Sequence, residues 1–363
     1  MPKVILISQF PLPYSKIGSW TRMYQNYLGA SHKIDFVVCN QPEVLLDNVD
    51  YKIVSESFVS KIKKKISKNQ YEDYFQALEQ LLQKNQKYLI QIVDNFGIVK
   101  GLDGFLKKKD LRKNCYLQFF YHGFPPFYEN FQSRCFFETI DEMVLLTHDS
   151  YFAHKNYYTV LPVRFSVLHN GIDTDLFFQV AAEEKRSLKQ QLNVVDKKVF
   201  IWCSQDRPKK GLHLVLDAWK KVYSQNKNIV LWVIGTQRND LIEGVVFMGK
   251  IPNDELPKYY QTADCYLFPT LCHEGFGLSL IEALHCGCYC IASSIGGVPE
   301  VLQYGKYGKL IDNPHFVSAW EEAILEFLNK PLSFENVPTT LYSSESWNSG
   351  MNEIIEKAKN RMQ

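Results

Sequence analysis

The sequence predicts an α/β protein built from two doubly wound, parallel-sheet domains. Three observations support this: a length of 363 residues, short apolar strands that alternate with helical stretches, and a pause in that alternation near Leu161 and Pro162. The length suits two domains of ordinary size, and apolar strands interleaved with helices indicate parallel sheets with crossover helices. Such sheets bind ligands at the carboxyl ends of their strands, so we expect the two Rossmann-like domains to face each other across a cleft.

Strand-like runs occur five on each side of the pause. They are Val4–Ile7, Phe36–Cys39, Leu89–Val93, Tyr116–Tyr121 and Met143–Thr147, then Val199–Cys203, Ile229–Ile234, Val245–Met248, Cys265–Phe268 and Tyr289–Ala292. The helical patterns include Tyr71–Lys87, Leu212–Tyr223 and Leu278–His285. We therefore predict an N-terminal domain over residues 1–165, a second domain over residues 166–345, and a C-terminal helix over residues 346–363 that packs back on the N-terminal domain.

Composition excludes several other classes of protein. Hydrophobic residues make up 46% and charged residues 22%, which is typical of a folded globular chain. Apolar runs such as Val4–Ile7 are far shorter than the roughly 20 residues of a membrane-spanning helix, and this run resembles a strand more than a secretory signal. The nine cysteines are odd in number and scattered, so we expect free thiols in a reducing cytoplasm.

The net charge of +2 hides a basic excess in the first half of the chain. Residues 1–165 contain 21 Lys and Arg against 16 Asp and Glu, concentrated in Lys61–Lys65 with Lys68 and in Lys107–Lys109 with Arg112 and Lys113. Two interpretations stay open: a solvated face, or attraction to an anionic membrane surface or acceptor. No recognised nucleic-acid-binding motif accompanies the charge, so no nucleic-acid partner is expected.

The segment Cys272–Ala283 carries the most chemical information. It follows a predicted strand and opens a helix, and Gly275 and Gly277, on either side of Phe276, permit close approach of a ligand to the backbone. The N–H groups of the two residues that begin the helix favour a phosphate. Those two residues are Leu278 and Ser279.

Two glutamates, Glu274 and Glu282, bracket this segment. Eight residues of helix rise about 12 Å, whereas the two carboxylates of a glycoside hydrolase stand about 5–9.5 Å apart. The pair therefore fits the two ends of a diphosphate-linked ligand better, with one carboxylate accepting from sugar hydroxyls and the other from a ribose. The alternative is two solvent-facing glutamates beside a turn.

Three further segments follow predicted strands. Arg207, Lys209 and Lys210 place positive charge in the segment Cys203–Leu212, where Arg and Lys can neutralise phosphate oxygens. Gly18 lies between the first strand and its helix, and His122 ends an apolar run, so its imidazole should face the cleft. An exposed basic loop, a structural glycine and a structural histidine are the respective alternatives.

No metal site is predicted. Asp173-Thr-Asp175 spells the D-x-D pattern of some metal-dependent sugar transferases, but it follows a turn at the domain junction. Cys286, Cys288 and Cys290 alternate as they would on one strand, and buried free thiols are favoured over a closed zinc site. A phosphate-binding G-x-G-x-x-G after the first strand and a P-loop are both missing, which argues against dehydrogenases and kinases.

In combination, these motifs make the sequence similar to the glycosyltransferases of the GT-B fold, family 4. The resemblance is strong over residues 166–313 and weaker over residues 1–160. The matching segments are Val167–Phe177, Arg207–Gly211, Val246–Pro252 with Glu255 and Leu256, the E-x7-E motif from Glu274 to Glu282, and Gly296–Glu300 with Gly308. The chain departs from the family at Gln205, where an Arg is usual, at Tyr289, where Pro is common, and in its N-terminal glycine pair, which is reduced to Gly18.

The resemblance implies a role for each candidate residue. Glu282 would hold the ribose, and the base would meet the backbone of Ile251. Glu274 and the backbone of Gly275–Gly277 would hold the donor sugar. Arg207 and Lys210 would neutralise the diphosphate, Gly18 would lie beside it, and His122 would face the transferred sugar and the acceptor. It also implies retention of anomeric configuration, a UDP- or GDP-linked donor, no cofactor and no obligatory metal.

The function expected from these features is transfer of a hexosyl group to a hydroxyl of a glycan or glycolipid. We expect a role in bacterial surface polysaccharide biosynthesis, either lipopolysaccharide or capsule, in the cytoplasm or at the cytoplasmic face of the inner membrane. Two alternatives stay open. One is a sugar-nucleotide epimerase on the same fold, and the other is a non-catalytic subunit that binds a nucleotide sugar.

Overall fold

The structure, a computed structural model, describes residues 1–14, 20–55, 70–124, 130–158, 161–330 and 336–363, with the side chains of 130–134 left aside. These residues form two compact units. Unit 1 comprises Met1–Asn170 and Ser344–Gln363, and unit 2 comprises Gly171–Ser343. Each unit is described by itself.

Unit 1 is built on a parallel sheet in which seven described strands follow the order β3-β2-β1-β4-β5-β6-β7. The central strand β4 is buried along its whole length, as expected for a parallel sheet covered on both faces. The strands are β1 (Lys3–Ile7), β2 (Phe36–Cys39), β3 (Tyr51–Ile53), β4 (Tyr88–Val93), β5 (Cys115–Tyr121), β6 (Glu142–Leu145) and β7 (Arg164–Val167).

Helices cover both faces of this sheet and bury an apolar core on each. Asn95 caps α3 by accepting a hydrogen bond from the N–H of Ile98, and Thr147 caps α5 in the same way from Ser150. The helices described before the junction are α1 (Trp20–Gly29), α2 (Glu72–Glu79), α3 (Phe96–Lys108), α4 (Asn130–Thr139) and α5 (His148–Tyr157).

The junction between the units follows β7. Leu145 of β6 lies opposite Val167, and this pairing keeps β7 in unit 1. The predicted boundary between residues 165 and 166 falls inside this strand, and the units divide five residues later, after Asn170. The last helix, Ser344–Arg361, belongs to unit 1, where Trp347, Met351 and Ile355 join its core.

Unit 2 contains a second parallel sheet, in which six described strands follow the order β10-β9-β8-β11-β12-β13. The strands are β8 (Lys198–Cys203), β9 (Ile229–Ile234), β10 (Val245–Gly249), β11 (Cys265–Phe268), β12 (Tyr289–Ser293) and β13 (Gly308–Ile311). The helices are α6 (Ala182–Gln191), α7 (Leu212–Gln225), α8 (Leu256–Thr262), α9 (Leu278–His285), α10 (Val298–Val301) and α11 (Val317–Asn329), and the final helix of unit 1 is α12.

The strand order reverses at one place in each sheet. In unit 1 this switch point lies between β1 and β4, and in unit 2 it lies between β8 and β11. Loops that leave neighbouring strands in opposite directions open a crevice there, at the carboxyl edge of the sheet. Residues that could bind a ligand or take part in a reaction are therefore expected around β1, β4 and β5 in unit 1, and around β8 and β11 in unit 2.

The ten predicted strands each overlap an observed strand, and the helix at Leu278–His285 has the predicted bounds. The helix predicted over Tyr71–Lys87 was too long, because α2 ends at Glu79. Beyond that residue Leu81 and Leu82 still pack against the core, but residues 83–87 are all polar, so an apolar helical stripe does not continue. The prediction that Cys286, Cys288 and Cys290 share one strand was wrong: Gly287 turns the chain at φ +84°, and of the three only Cys290 lies in β12, although all three are buried.

Candidate functional site

The loops that follow β8 and β11 pack tightly against each other at the switch point of unit 2. Gly211 adopts the left-handed conformation at φ +69°, and a Cβ atom added there would lie 1.8 Å from the carbonyl oxygen of Pro269. The N–H of Leu271 donates to the carbonyl of Lys209 at 2.8 Å. These contacts make residues 204–211 and 269–277 a single packed assembly, which we call the donor loops.

An ion pair joins the two donor loops. The Nζ atom of Lys210 lies 2.5 Å from Oε2 of Glu274, and each side chain is about a fifth exposed, at 20% and 22%. The hydroxyl of Thr270 lies 3.5 Å from the same carboxylate oxygen. The sequence predicted roles for both charged residues, and the structure places them in direct contact. A ligand that carries both phosphate and hydroxyl groups could engage this pair.

The backbone of Glu274 is held by a third segment. The N–H of Gly297 donates to the carbonyl of Glu274 at 2.9 Å. Gly296 has φ +69°, and an added Cβ would lie 2.5 Å from the same carbonyl oxygen. This close approach explains why a glycine stands at position 296, a packing role that cannot be inferred from sequence spacing.

Helix α9 begins directly after the second donor loop. Gly277 precedes it at φ +90°, and Phe276 packs its ring edge-on against Tyr342 at 5.1 Å. The first N–H groups of a helix have no intrahelical acceptor, which leaves those of Leu278 and Ser279 available to an anion. Gly275 is buried beside this turn.

Ser279 and Glu282 lie one turn apart on α9, and both interact with residues of the neighbouring strands β8 and β11. The hydroxyl of Tyr266 on β11 lies 2.9 Å from Oγ of Ser279 and 3.2 Å from the carbonyl of Cys203. Burial raises the pKa of the Cys203 thiol to about 12, and the charge of Glu282 adds to that increase. Glu282 is partly exposed, and its charge acts at the end of β8.

Arg207 and Ile251 lie in loops that follow β8 and β10. Arg207 is exposed and directly precedes the short 3-10 helix Pro208–Lys210, whereas Ile251 is partly exposed two residues after β10. Sequence reasoning missed Arg238, whose Nε and Nη2 lie 2.8 and 2.5 Å from a carboxylate oxygen of Asp206. This contact ties the loop after β9 to the first donor loop, and no motif signals it.

Of the two site residues predicted in unit 1, His122 follows β5 and contacts Asp94. Its Nδ1 lies 3.0 Å from Asp94 Oδ2, and its backbone N–H donates to Asp94 Oδ1 at 2.8 Å. The ring of Trp20 stacks on the imidazole, with centroids 5.6 Å apart. Sequence reasoning did not find Asp94, although its place directly after a buried strand is a usable signal. Gly18 lies outside the described residues.

Comparison with known families decides the class of unit 2. A family profile described as "Glycosyl transferases group 1" matches residues 184–339. Residues 184–339 form a group 1 glycosyl transferase domain. This group 1 domain contains both donor loops, α9 and the glycines at 296–297.

The curated relatives compared with this chain are 23–29% identical to it over the aligned residues. A GDP-mannose-dependent alpha-(1-6)-phosphatidylinositol monomannoside mannosyltransferase of Mycolicibacterium smegmatis is 29% identical over 178 residues, which are 44% of this chain and 46% of the relative. A lipopolysaccharide 1,2-N-acetylglucosaminetransferase of Salmonella typhimurium is 24% identical over 54% of this chain and 56% of the relative. The chain thus spans about half the length of the curated relatives it matches.

Solved structures match almost the entire chain and establish the fold as GT-B. Sucrose-phosphate synthase from Thermosynechococcus elongatus has a TM-score of 0.72 at 16% identity, over 99% of this chain and 100% of that one. Anabaena HepE in complex with UDP and glucose has a TM-score of 0.71 at 16% identity, over 98% and 100% of the two chains. The predicted fold class is confirmed.

Two other features of the sequence have plain structural roles in this protein. Oδ1 of Asp173 accepts from the N–H groups of Asp175 and Leu176 at 3.1 and 3.2 Å, so this carboxylate shapes a turn. In the basic cluster at 107–113, Lys107, Lys109, Arg112 and Lys113 each pair with a carboxylate, which reduces the net positive field. The Lys61–Lys65 cluster and Lys68 lie outside the described residues.

Among the helices of the described residues, none combines the length and the apolar character that crossing a membrane requires.

Proposed function

We propose that this protein transfers a glycosyl group from a nucleotide diphosphate-sugar to a hydroxyl of a glycan or glycolipid. The observation that carries the proposal is the Lys210–Glu274 ion pair, which lies at the switch point of the group 1 domain beside the start of α9. A cation, a carboxylate and helical N–H groups at one place suit a ligand with a diphosphate next to a sugar. The names of the mannosyl- and N-acetylglucosaminyltransferase relatives support the same class of reaction.

The diphosphate is the leaving group in this reaction. Cleavage of the bond between the sugar and the diphosphate leaves negative charge on the phosphate oxygens, and positive character develops on the sugar. Lys210, Arg207 and the N–H groups of Leu278 and Ser279 would stabilise that negative charge in a fixed arrangement, which lowers the barrier. Binding requires Lys210 to exchange its contact with Glu274 for a phosphate oxygen.

Recognition of the other donor groups would fall to the remaining predicted residues. The Glu274 carboxylate, once released by Lys210, can accept from sugar hydroxyls beside the backbone of Gly275–Gly277. Glu282, near the end of β8, would accept from the ribose, and the backbone at Ile251 would meet the base. The roles expected for Gly18 beside the diphosphate, and for His122 toward the transferred sugar and the acceptor, stay predictions from the family resemblance.

Finer aspects of the proposal follow the predicted family. We propose a UDP- or GDP-linked donor, retention of anomeric configuration, and no cofactor or metal requirement beyond the substrates. We further propose a role in lipopolysaccharide or capsule assembly, in the cytoplasm or peripherally at the inner membrane. Relatives whose names specify a phosphatidylinositol mannoside or lipopolysaccharide acceptor support an acceptor of this kind.

The test begins with donor binding. UDP- and GDP-sugars are screened by thermal shift, because a ligand that binds the folded state raises the unfolding temperature. The stabilising donor is then titrated against the wild type, Glu282→Ala and Glu322→Ala, the last being an exposed residue on α11. We expect weaker donor binding in Glu282→Ala alone. The absence of any stabilising nucleotide sugar would contradict the proposal.

Turnover is measured next with the donor identified and a panel of glycan and glycolipid hydroxyl acceptors. A glycosylated acceptor with the anomeric configuration of the donor supports the proposal. An isomerised nucleotide sugar formed without acceptor would point instead to an epimerase, and binding without turnover would point to a non-catalytic subunit.

Membrane association is tested by flotation with anionic liposomes at low and at high salt. Electrostatic attachment predicts binding that salt weakens. A protein that stays unbound at both salt concentrations would refute the peripheral location.

A further inference from the structure

We propose that Asp94 is a positioning residue that holds His122 as the neutral tautomer protonated on Nδ1, so that Nε2 accepts a hydrogen bond from a ligand hydroxyl. This proposal deepens the proposed function and rests on it for the nature of the ligand. The Asp94–His122 contact itself lies entirely within unit 1.

The contact is made at two points. Asp94 Oδ1 accepts from the backbone N–H of His122 at 2.8 Å, and Oδ2 lies 3.0 Å from Nδ1 of the ring. The side chains of His122 and Asp94 are 12% and 24% exposed, so the contact is largely screened from water. Because both carboxylate oxygens are engaged, the orientation of the carboxylate relative to the ring is fixed.

The chemistry of this pair determines the position of the proton. An ionised carboxylate only accepts hydrogen bonds, so Nδ1 must be the donor. In a neutral imidazole the other nitrogen then carries a lone pair. Nε2 is therefore a hydrogen-bond acceptor, and the group that it would recognise is a hydroxyl, such as that of a sugar.

The backbone of Asp94 supports a specialised role. Asp94 directly follows β4 and adopts the left-handed region at φ +49°, while its N–H donates to the carbonyl of Phe120 at 3.0 Å. A non-glycine residue in this conformation is uncommon, and such strain is concentrated at functional sites. The conformation turns the carboxylate of the β4 terminus toward the terminus of β5, where His122 lies.

Aromatic packing holds the imidazole from its face. Trp20 stacks on the ring with an interplanar angle of 20°, and Tyr24 packs edge-on against Trp20 at 5.7 Å. The stacking on Trp20 and the contact of Nδ1 with Asp94 both restrict rotation of the imidazole.

The decisive variant is Asp94→Asn. Asn tolerates the left-handed conformation, so the backbone can be retained. The carbonyl oxygen of the new amide would accept from the His122 N–H as before, which turns its NH2 group toward Nδ1. That group can only donate, so the proton must move to Nε2 and the outward nitrogen becomes a donor.

The tautomer is read directly by 15N NMR of protein labelled at histidine, at pH 8, with His122→Gln used to assign the signals. We expect protonated Nδ1 and unprotonated Nε2 in the wild type, and the reverse in Asp94→Asn. The control is Asp110→Asn, the same substitution in the same left-handed conformation, at φ +56° and on an exposed side chain. It should leave the His122 signals unchanged. Protonated Nε2 in the wild type would overturn the proposal.

Activity supplies the second measurement. Loss of one hydrogen bond to an oriented group should lower kcat/KM about 10- to 100-fold in Asp94→Asn, and Asp94→Asn should cause no further loss in a His122→Ala background. Unchanged kcat/KM with an inverted tautomer would refute the functional role of the pair. Because the NMR measurement needs no substrate, failure of the proposed transferase activity would be recognised separately.

Discussion

At the scale of single residues, Lys210 is the group whose removal should affect the reaction most directly. Lys210→Ala removes a cation that we propose stabilises the leaving diphosphate, and we expect turnover at saturating donor to fall roughly 10²–10³-fold, the scale for one preorganised electrostatic contact. Steady-state kinetics with the identified donor checks this.

The neighbouring lysine provides a matched control. Lys209 is exposed, and the contact that the structure gives it uses its backbone carbonyl, which an alanine retains. Lys209→Ala should therefore keep turnover within a few-fold of the wild type. Equal losses in the two variants would mean that general positive charge, rather than the position of Lys210, matters.

Individual residues also show where sequence reasoning stops. Lys210 and Glu274 could be predicted because each lies in a motif whose chemistry is evident from residue type and spacing. The partner of His122 could not, because Asp94 is 28 positions earlier and the contact exists only because β4 and β5 are neighbours in the sheet. The Asp206–Arg238 contact likewise depends on the adjacency of β8 and β9.

At the scale of secondary-structure elements, the connection between β8 and α7 depends on a glycine, Gly211, whose replacement should destabilise the fold. In Gly211→Ala the left-handed conformation and the close contact with Pro269 oppose the new methyl group. We expect a loss of about 1–3 kcal/mol in the free energy of unfolding, together with weaker donor binding. Chemical denaturation and donor titration measure both effects.

The control for Gly211 is a glycine whose replacement by alanine should increase stability. Gly104 lies inside α3, and a Cβ added there meets nothing within 4 Å. Gly104→Ala should stabilise the protein by roughly 0.5–1 kcal/mol, because alanine has the higher helix propensity. A stabilised Gly211→Ala would show that the loop can relax away from Pro269.

Helix α12 offers a second test at this scale. Its Arg361 Nη1 lies 3.1 Å from Oε2 of Glu142, a side chain only 1% exposed that also accepts from Tyr116 and Gln118. Arg361→Met should leave a buried carboxylate without its cation and cost about 1–3 kcal/mol in unfolding free energy. Lys357→Met, one turn earlier in an exposed pair with Glu353, should cost no more than about 0.5 kcal/mol. Similar costs for both would contradict a special role for the buried pair.

The elements themselves were largely predictable, for a physical reason. Strands such as β4 and β9 are buried on both faces, so they appear in the sequence as continuous apolar runs. β3 and β13 were not predicted because no apolar run marks them. β3 has only three residues, all of them partly buried, and the first two of the four residues of β13 are Gly308 and Lys309.

At the scale of the whole molecule, acid should destabilise both units through buried histidines. Burial lowers the pKa of His154 in unit 1 and of His285 in unit 2, so each binds a proton less readily in the folded protein than in the unfolded chain. In the unfolded chain these histidines have an ordinary pKa of about 6.5, so near and below that pH the unfolded chain binds more protons than the folded protein does. Stability should therefore be constant above that pH and fall as pH decreases through it, by at most about 1.4 kcal/mol per pH unit for each histidine.

Urea denaturation between pH 7.5 and 5.0 measures this slope. His154→Gln and His285→Gln each remove one titrating group, so each should flatten the decline in unfolding free energy below pH 6.5, even where the substitution lowers stability at every pH. A carbonyl oxygen only accepts hydrogen bonds, so Nδ1 of His154 donates to the Ser150 carbonyl at 2.7 Å and Nε2 of His285 donates to the Leu341 carbonyl at 2.8 Å. Further protonation must therefore occur at the other nitrogen of each ring, which in His154 is the buried Nε2 atom. If both variants keep the full wild-type slope, the acid sensitivity originates elsewhere, and these two histidines do not couple stability to pH.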